Sequence, residues 1–132
     1  MLDFLEHVSN PLDIVRKADS LLETGGILLI ALPNEGSLLN GIADQMYRLT
    51  GGVIKKPVEL LHVLEHPSFF DRQTLSRLLR DNGFEVVNSE MLETDSRNFN
   101  LGFFSKAGIA LVNGLARLSG RQNRFAIWAQ KK

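Results

Sequence analysis

Gly25-Gly26-Ile27-Leu28-Leu29-Ile30-Ala31-Leu32-Pro33-Asn34 is the stretch whose reading decides the fold. From Ile27 to Leu32 it is apolar without alternation, the pattern of a central strand covered on both faces by helices. Gly25 and Gly26 suit the positive φ that ends a preceding helix, and Pro33 stops the strand ladder by removing a donor. An open α/β sheet binds ligands beyond the carboxyl ends of its strands, so Pro33 and Asn34 are expected to border a site.

On either side of this strand the chain alternates helix and strand. Met1 to Leu5 reads as a short strand, and Glu6-His7-Val8 as the turn at its carboxyl end. Asn10 is positioned to cap a helix with Pro11 at its first position, in which Leu12, Val15, Ala18, Leu21 and Leu22 share a face as far as about Glu23. Strand, helix and strand then form a right-handed βαβ unit. After the central strand, residues 35 to 66 exceed the roughly 2 to 6 residues of an ordinary strand-to-helix connection. Ser37 is expected to cap a helix carrying Leu38, Leu39, Ile42, Met46 and Leu49 and closed by Gly51-Gly52, and Pro57 to open a second one over Val58 to Glu65. Such an insertion acts either as a lid or simply as cover for the core. Asp71 caps the next helix, with Leu75, Leu78 and Leu79 buried, Asn82-Gly83 ending it and Phe84 folding back on Leu79. Phe84 to Leu92 reads as a strand, Glu93 to Asn100 as a loop, and Leu101 to Leu118 as a helix broken or distorted near Gly108 or Gly114. After a turn, Arg124 to Gln130 is the last strand.

The 132 residues suit one domain, which spans the chain and buries roughly two-thirds of its unfolded surface. With 15 basic and 15 acidic residues there is no overall field to hold nucleic acid. The absence of cysteine excludes disulfides, thiolate metal sites and a thiol nucleophile. The amino-terminal residues lack the basic and apolar regions of a signal peptide, so a cytoplasmic location is expected.

Four segments in this order and spacing carry a resemblance: Asp3-Phe4-Leu5-Glu6-His7-Val8 with Asn10-Pro11; Leu21 to Gly26 into Ile27 to Asn34; His66 with Phe69-Phe70; and Thr74-Leu75 through Gly83 to Val87. The chain resembles the carboxyl-terminal half of a class I S-adenosylmethionine-dependent methyltransferase, with closest similarity to the group that includes the ubiquinone-pathway O-methyltransferases. The resemblance implies a partial Rossmann-like α/β sheet in the order fourth, fifth, seventh, sixth strand. Met1 to Leu5 would be the fourth strand, and the last strand in the chain, the seventh, would run antiparallel. The family's glycine-rich cofactor loop and its ribose-holding acid would precede Met1, and no Gly-x-Gly occurs in this chain. The amino-terminal half of the domain is thus missing, and the chain is expected to be inactive alone, with an S-adenosylmethionine site it cannot complete.

Methyl transfer to a small molecule needs alignment of the reactants and, for a hydroxyl, a base. His7 is the candidate base because imidazole titrates near neutrality. By resemblance Glu6 and His7 sit beside cofactor and substrate, while the alternative is that they cap the following helix. Pro33, Asn34 and His66 are candidate substrate contacts. His62-Val63-Leu64-Glu65-His66 matches the H-x-x-E-H helix of inverted zinc hydrolases, but Pro67 stops the helix and no third ligand follows, so no metal is expected.

The outer edge of Met1 to Leu5 would lack a neighbour and recruit one, giving a homodimer or a noncatalytic interaction module as the alternative to an enzyme half. Association of Leu38 to Leu49 and Leu101 to Leu118 with a membrane surface is disfavoured, because their polar faces are not richly basic.

Overall fold

The computed structural model describes residues 1–53, 67–92 and 106–132. Four helices, α1 (Pro11–Leu21), α2 (Leu38–Leu49), α3 (Arg72–Arg80) and α4 (Lys106–Ser119), accompany three strands, β1 (Ile27–Pro33), β2 (Phe84–Leu92) and β3 (Arg124–Lys131). The sheet order is β1-β3-β2, with β3 antiparallel to both neighbours. Beyond β1, Leu2 makes a parallel bridge to Ala31, so the expected order, with the last strand reversed between the other two, is present.

The amino-terminal strand is shorter than its sequence reading. Ala31 N–H donates to the Met1 carbonyl and Asp3 N–H to the Ala31 carbonyl, each at 3.0 Å, and there the pairing ends. Asp3 adopts a φ of 47°, which turns the chain out of the ladder, and its carboxylate pairs with Arg124. Leu5–His7 then forms a single 3-10 turn in which Leu5 enters the core. A strand with one neighbour has half the ladder to hold it, and a left-handed aspartate is enough to end it.

The continuous apolar run of β1 does not mean equal cover on both faces. Leu28, Ile30 and Leu32 pair across to Ala129, Ile127 and Phe125 and form one buried face with Val15, Leu75, Leu79 and Phe84. Each such buried side chain contributes about 1.5–3 kcal/mol of transfer free energy. On the opposite face Ile27 is 48% exposed, while Leu29 and its partner Trp128 are half-buried.

Local signals explain the helix ends. Asp71 caps α3 in a reciprocal box, accepting from Thr74 N–H at 2.7 Å while Thr74 Oγ1 accepts from Asp71 N–H at 3.0 Å. Gly83, at φ 88°, ends that helix and sends Phe84 into the core beside Leu79. Ser37 caps α2 by accepting from Asn40 N–H. Asn10 does not cap α1: its amide donates to the Asp13 carboxylate at 2.7 Å, and the helix begins at Pro11 and ends at Leu21, whose side chain is exposed. Ile14, Val15, Ala18 and Leu22 face the core instead. At its carboxyl-terminal end α2 differs as well, with Leu49 77% exposed. Helix α4 runs unbroken through Gly108 and Gly114. The Val58 to Glu65 helix, the His62 to His66 pattern, the Glu93 to Asn100 loop and the start of the Leu101 helix lie outside the described residues.

Candidate functional site

Three segments converge at the carboxyl end of the sheet: the Leu5–His7 turn, the exit of β1 through Pro33 to Ser37, and the entry to β3 through Arg121 to Asn123. Backbone hydrogen bonds tie them together. Asn34 N–H donates to the Asn123 carbonyl at 2.8 Å, Leu38 N–H to the Arg121 carbonyl at 2.9 Å, and Glu35 N–H to the Phe70 carbonyl at 3.0 Å. Ser68 joins the amino-terminal turn, its N–H donating to the Glu6 carbonyl at 3.3 Å and its hydroxyl to the Val8 carbonyl at 3.1 Å.

Glu6 is the unusual member. It is 4% exposed, and its Oε2 has no hydrogen-bond partner among the described residues. A buried carboxylate oxygen without a donor is costly, so Glu6 stands here at the expense of local stability. His7, next to it, is exposed. The turn thus presents a buried acceptor and an exposed imidazole side by side, a pair able to hold a donor group and accept a proton.

Asn34 is buried at 4% exposure and its side chain is fully engaged: the amide donates to the Gln122 carbonyl at 2.7 Å, and Oδ1 accepts from Gly36 N–H at 3.1 Å. It staples the exit of β1 to the entry of β3. Pro33 is the last residue of β1, paired with Arg124, so its missing donor falls where the ladder ends. His66 lies outside the described residues. Glu6, His7, Pro33 and Asn34 therefore share one end of the sheet.

Two features were not singled out by the sequence. Gln122, partly buried, also has a buried oxygen without a partner among the described residues, and nothing in its local pattern announces this. A groove of about 400 Å³ lies between α1 and α3, lined by Asn10, Pro11, Leu12, Phe70, Thr74, Arg77, Leu78 and Asp81. It is mainly apolar and formed by helix flanks, whereas the orphaned carboxylate lies at the strand ends. No group of three or more metal-ligating side chains exists among the described residues, and no described helix is long and apolar enough to cross a membrane.

Residues 1–89 match a family model described as a methyltransferase domain. No curated protein matches the chain. Among solved structures, a methyltransferase from Thermotoga maritima described as S-adenosylmethionine-dependent aligns with a TM-score of 0.58 at 18% identity, covering 100% of this chain and 54% of its own. One so described from Archaeoglobus fulgidus aligns at 0.57 and 20% identity, covering 99% and 57%. A Haloferax volcanii protein solved in complex with a methyltransferase activator aligns at 0.59 and 8% identity, covering 98% and 51%. The chain spans about half the length of these neighbours.

Proposed function

The chain belongs to the methyltransferase-domain family, and from that membership we propose that it supplies the substrate-side half of an S-adenosylmethionine-dependent methyltransferase acting on a small molecule. The observation that carries the reading is the sheet: Met1–Asp3, β1, β3 and β2 in that order, with β3 antiparallel. On this reading the glycine-rich loop that completes the cofactor site lies in a complementary half, whether of the same protein or of another, outside these residues. That half also supplies the strand that flanks Met1–Asp3.

Within the proposal, Glu6 and His7 form the chain's share of the site. The buried Glu6 oxygen fits a donor-bearing group, whether of cofactor or acceptor, because an unpartnered acceptor is satisfied by any N–H or O–H brought to it. His7 accepts the proton of a hydroxyl acceptor, the role that the O-methyltransferase resemblance implies. When bound, S-adenosylmethionine supplies an electrophilic methyl group; this chain orients the acceptor and excludes water. Pro33 and, outside the described residues, His66 would border the acceptor. Asn34 acts through its staple, which fixes the rim. The Haloferax volcanii neighbour is held by an activator protein, which favours a protein as the complementing partner. A cytoplasmic location accords with the reading.

Titration calorimetry with S-adenosylhomocysteine tests it. The chain alone is expected to show no binding up to about 1 mM, whereas a fusion carrying the amino-terminal half of the Archaeoglobus fulgidus neighbour before Met1 binds in the micromolar range. Stoichiometric micromolar binding by the chain alone would overturn the half-site reading.

A further inference from the structure

Among the described residues, the buried side-chain atoms left without a hydrogen-bond partner are both acceptors, Glu6 Oε2 and Gln122 Oε1. Four contacts place them on one closed rim. The Glu6 carbonyl accepts from Ser68 N–H, the Phe70 carbonyl from Glu35 N–H, the Asn34 amide donates to the Gln122 carbonyl, and Arg124 pairs with Asp3. Short runs of chain join these contacts, so the rim returns to Glu6. Its donors are engaged. The backbone N–H groups of the successive residues Asn34 to Leu38 are each donated to a carbonyl or to Asn34 Oδ1. Arg121 donates through Nε to the Gly36 carbonyl at 3.0 Å, and its guanidinium lies along α2, where a Cβ on Gly41 would come within 3.2 Å of Nη2. Burial keeps solvent from satisfying either open oxygen.

We propose, resting on the half-site reading above, that Glu6 and Gln122 hold an amino group of the methyl acceptor, which makes Gln122 a specificity-determining residue of the site. An amino nitrogen brings two N–H donors and an ammonium three, so either satisfies two acceptors at once. A hydroxyl has one donor and turns a lone pair toward the second acceptor. A carboxylate or phosphate brings only acceptors, and its charge repels Glu6. The donor for Gln122 comes from the acceptor molecule rather than from the complementary half. That half flanks Met1–Asp3, whereas Gln122 leads into β3, three strand spacings of about 4.8 Å from it. The amino group is a handle for recognition, and the atom that takes the methyl group can be another.

Amide resonances of the isotope-labelled chain test it, followed while phenethylamine, 2-phenylethanol or phenylacetate is added up to about 20 mM. These probes share one skeleton and differ in the end group. The amine is expected to shift Glu6, His7, Gln122 and Asn123 with a Kd on the order of 1–10 mM, the alcohol to bind about tenfold more weakly, and the carboxylate not to bind there. Glu6→Gln is expected to weaken the amine about tenfold and Gln122→Met about threefold, with the alcohol changed by less than about twofold. The preference for amine over alcohol therefore falls, which a merely structural role for either residue does not produce. Dispersion of the spectrum shows that each variant is folded; if Gln122→Met is not, Gln122→Glu replaces it and is expected to tighten the amine about threefold. Equal binding of amine and alcohol, a rim that no amine shifts across that range, or an amine affinity unchanged in the variants overturns the proposal. Failure of the half-site reading shows elsewhere, as binding of S-adenosylhomocysteine by the chain alone, and leaves the amine preference readable.

Discussion

Replacing Glu6 by an apolar residue of similar volume is expected to stabilise this chain. The carboxylate is 4% exposed and Oε2 has no partner among the described residues, so the folded state carries a desolvated acceptor that the unfolded state gives to water. An unsatisfied buried polar group costs about 1–3 kcal/mol, and more when charged. Glu6→Met keeps the chain length, buries a thioether and removes that cost, so a gain of about 1–3 kcal/mol is expected. Glu6→Gln removes the charge but keeps an amide needing partners, so its gain is smaller, about 0–1 kcal/mol. Urea unfolding followed by circular dichroism reads both. With an m value near 1.5 kcal/mol/M, Glu6→Met moves the midpoint up by roughly 1–2 M at unchanged slope. A Glu6→Met variant more than about 1 kcal/mol less stable than wild type would refute the reasoning, because the carboxylate would then be holding the turn. If the proposed function holds, the same change is expected to remove methyltransferase activity from the completed domain, the usual opposition of stability and function at a site.

Asn34→Ala is expected to cost about 2–3 kcal/mol in urea unfolding, since it strips two hydrogen bonds and leaves the Gln122 carbonyl unpaired; a loss under about 0.5 kcal/mol would mean that the staple is not structural. The Thr74 backbone N–H, chiefly, holds the Asp71 carboxyl below its ordinary value. Because the folded value is depressed, this stabilisation is fully present above about pH 5 and is lost as pH falls through the folded value. Asp71→Asn keeps a cap but abolishes that acid dependence, read as amide exchange at Thr74 against pH. Gly83→Ala makes only an ordinary van der Waals contact, with Asp19 Oδ1 at 3.6 Å, so its expected cost of about 1–2 kcal/mol comes from the left-handed φ of 88°. A neutral result in thermal unfolding would show that the turn relaxes.

Where a residue's state is decided by its immediate neighbours, the sequence was readable. Asp71 as the cap of its helix, Ser37 ahead of Leu38, Gly83 before Phe84 and the bounds of β2 were read from capping, turn and strand patterns, and each is present. Where tertiary contacts decide, it was not. Asn10 spends its amide on Asp13, and the apolar run of β1 hides a difference between its two faces that only the packing of α1 and α3 on one side reveals. Gly108 and Gly114 cost about 1 kcal/mol each in a helix, which good helix formers around them offset. The orphaned oxygen of Glu6 has no sequence signature at all. A glutamate after a short strand reads equally as cap or base, and only its burial separates the two.

The candidate rim is tied together by contacts between distant parts of the chain. The hydrogen bonds that close it join residues far apart in sequence: Asn34 to Gln122 and Asn123, Leu38 to Arg121, Glu35 to Phe70, and Ser68 to Glu6 and Val8. Contacts of that range join β1, β3 and the amino-terminal turn into one wall above the core. The backbone groups just named are paired, whereas two buried side-chain acceptors, Glu6 Oε2 and Gln122 Oε1, have no partner among the described residues. On the proposed function, these open acceptors would meet hydrogen-bond donors of the ligand or partner that completes the site.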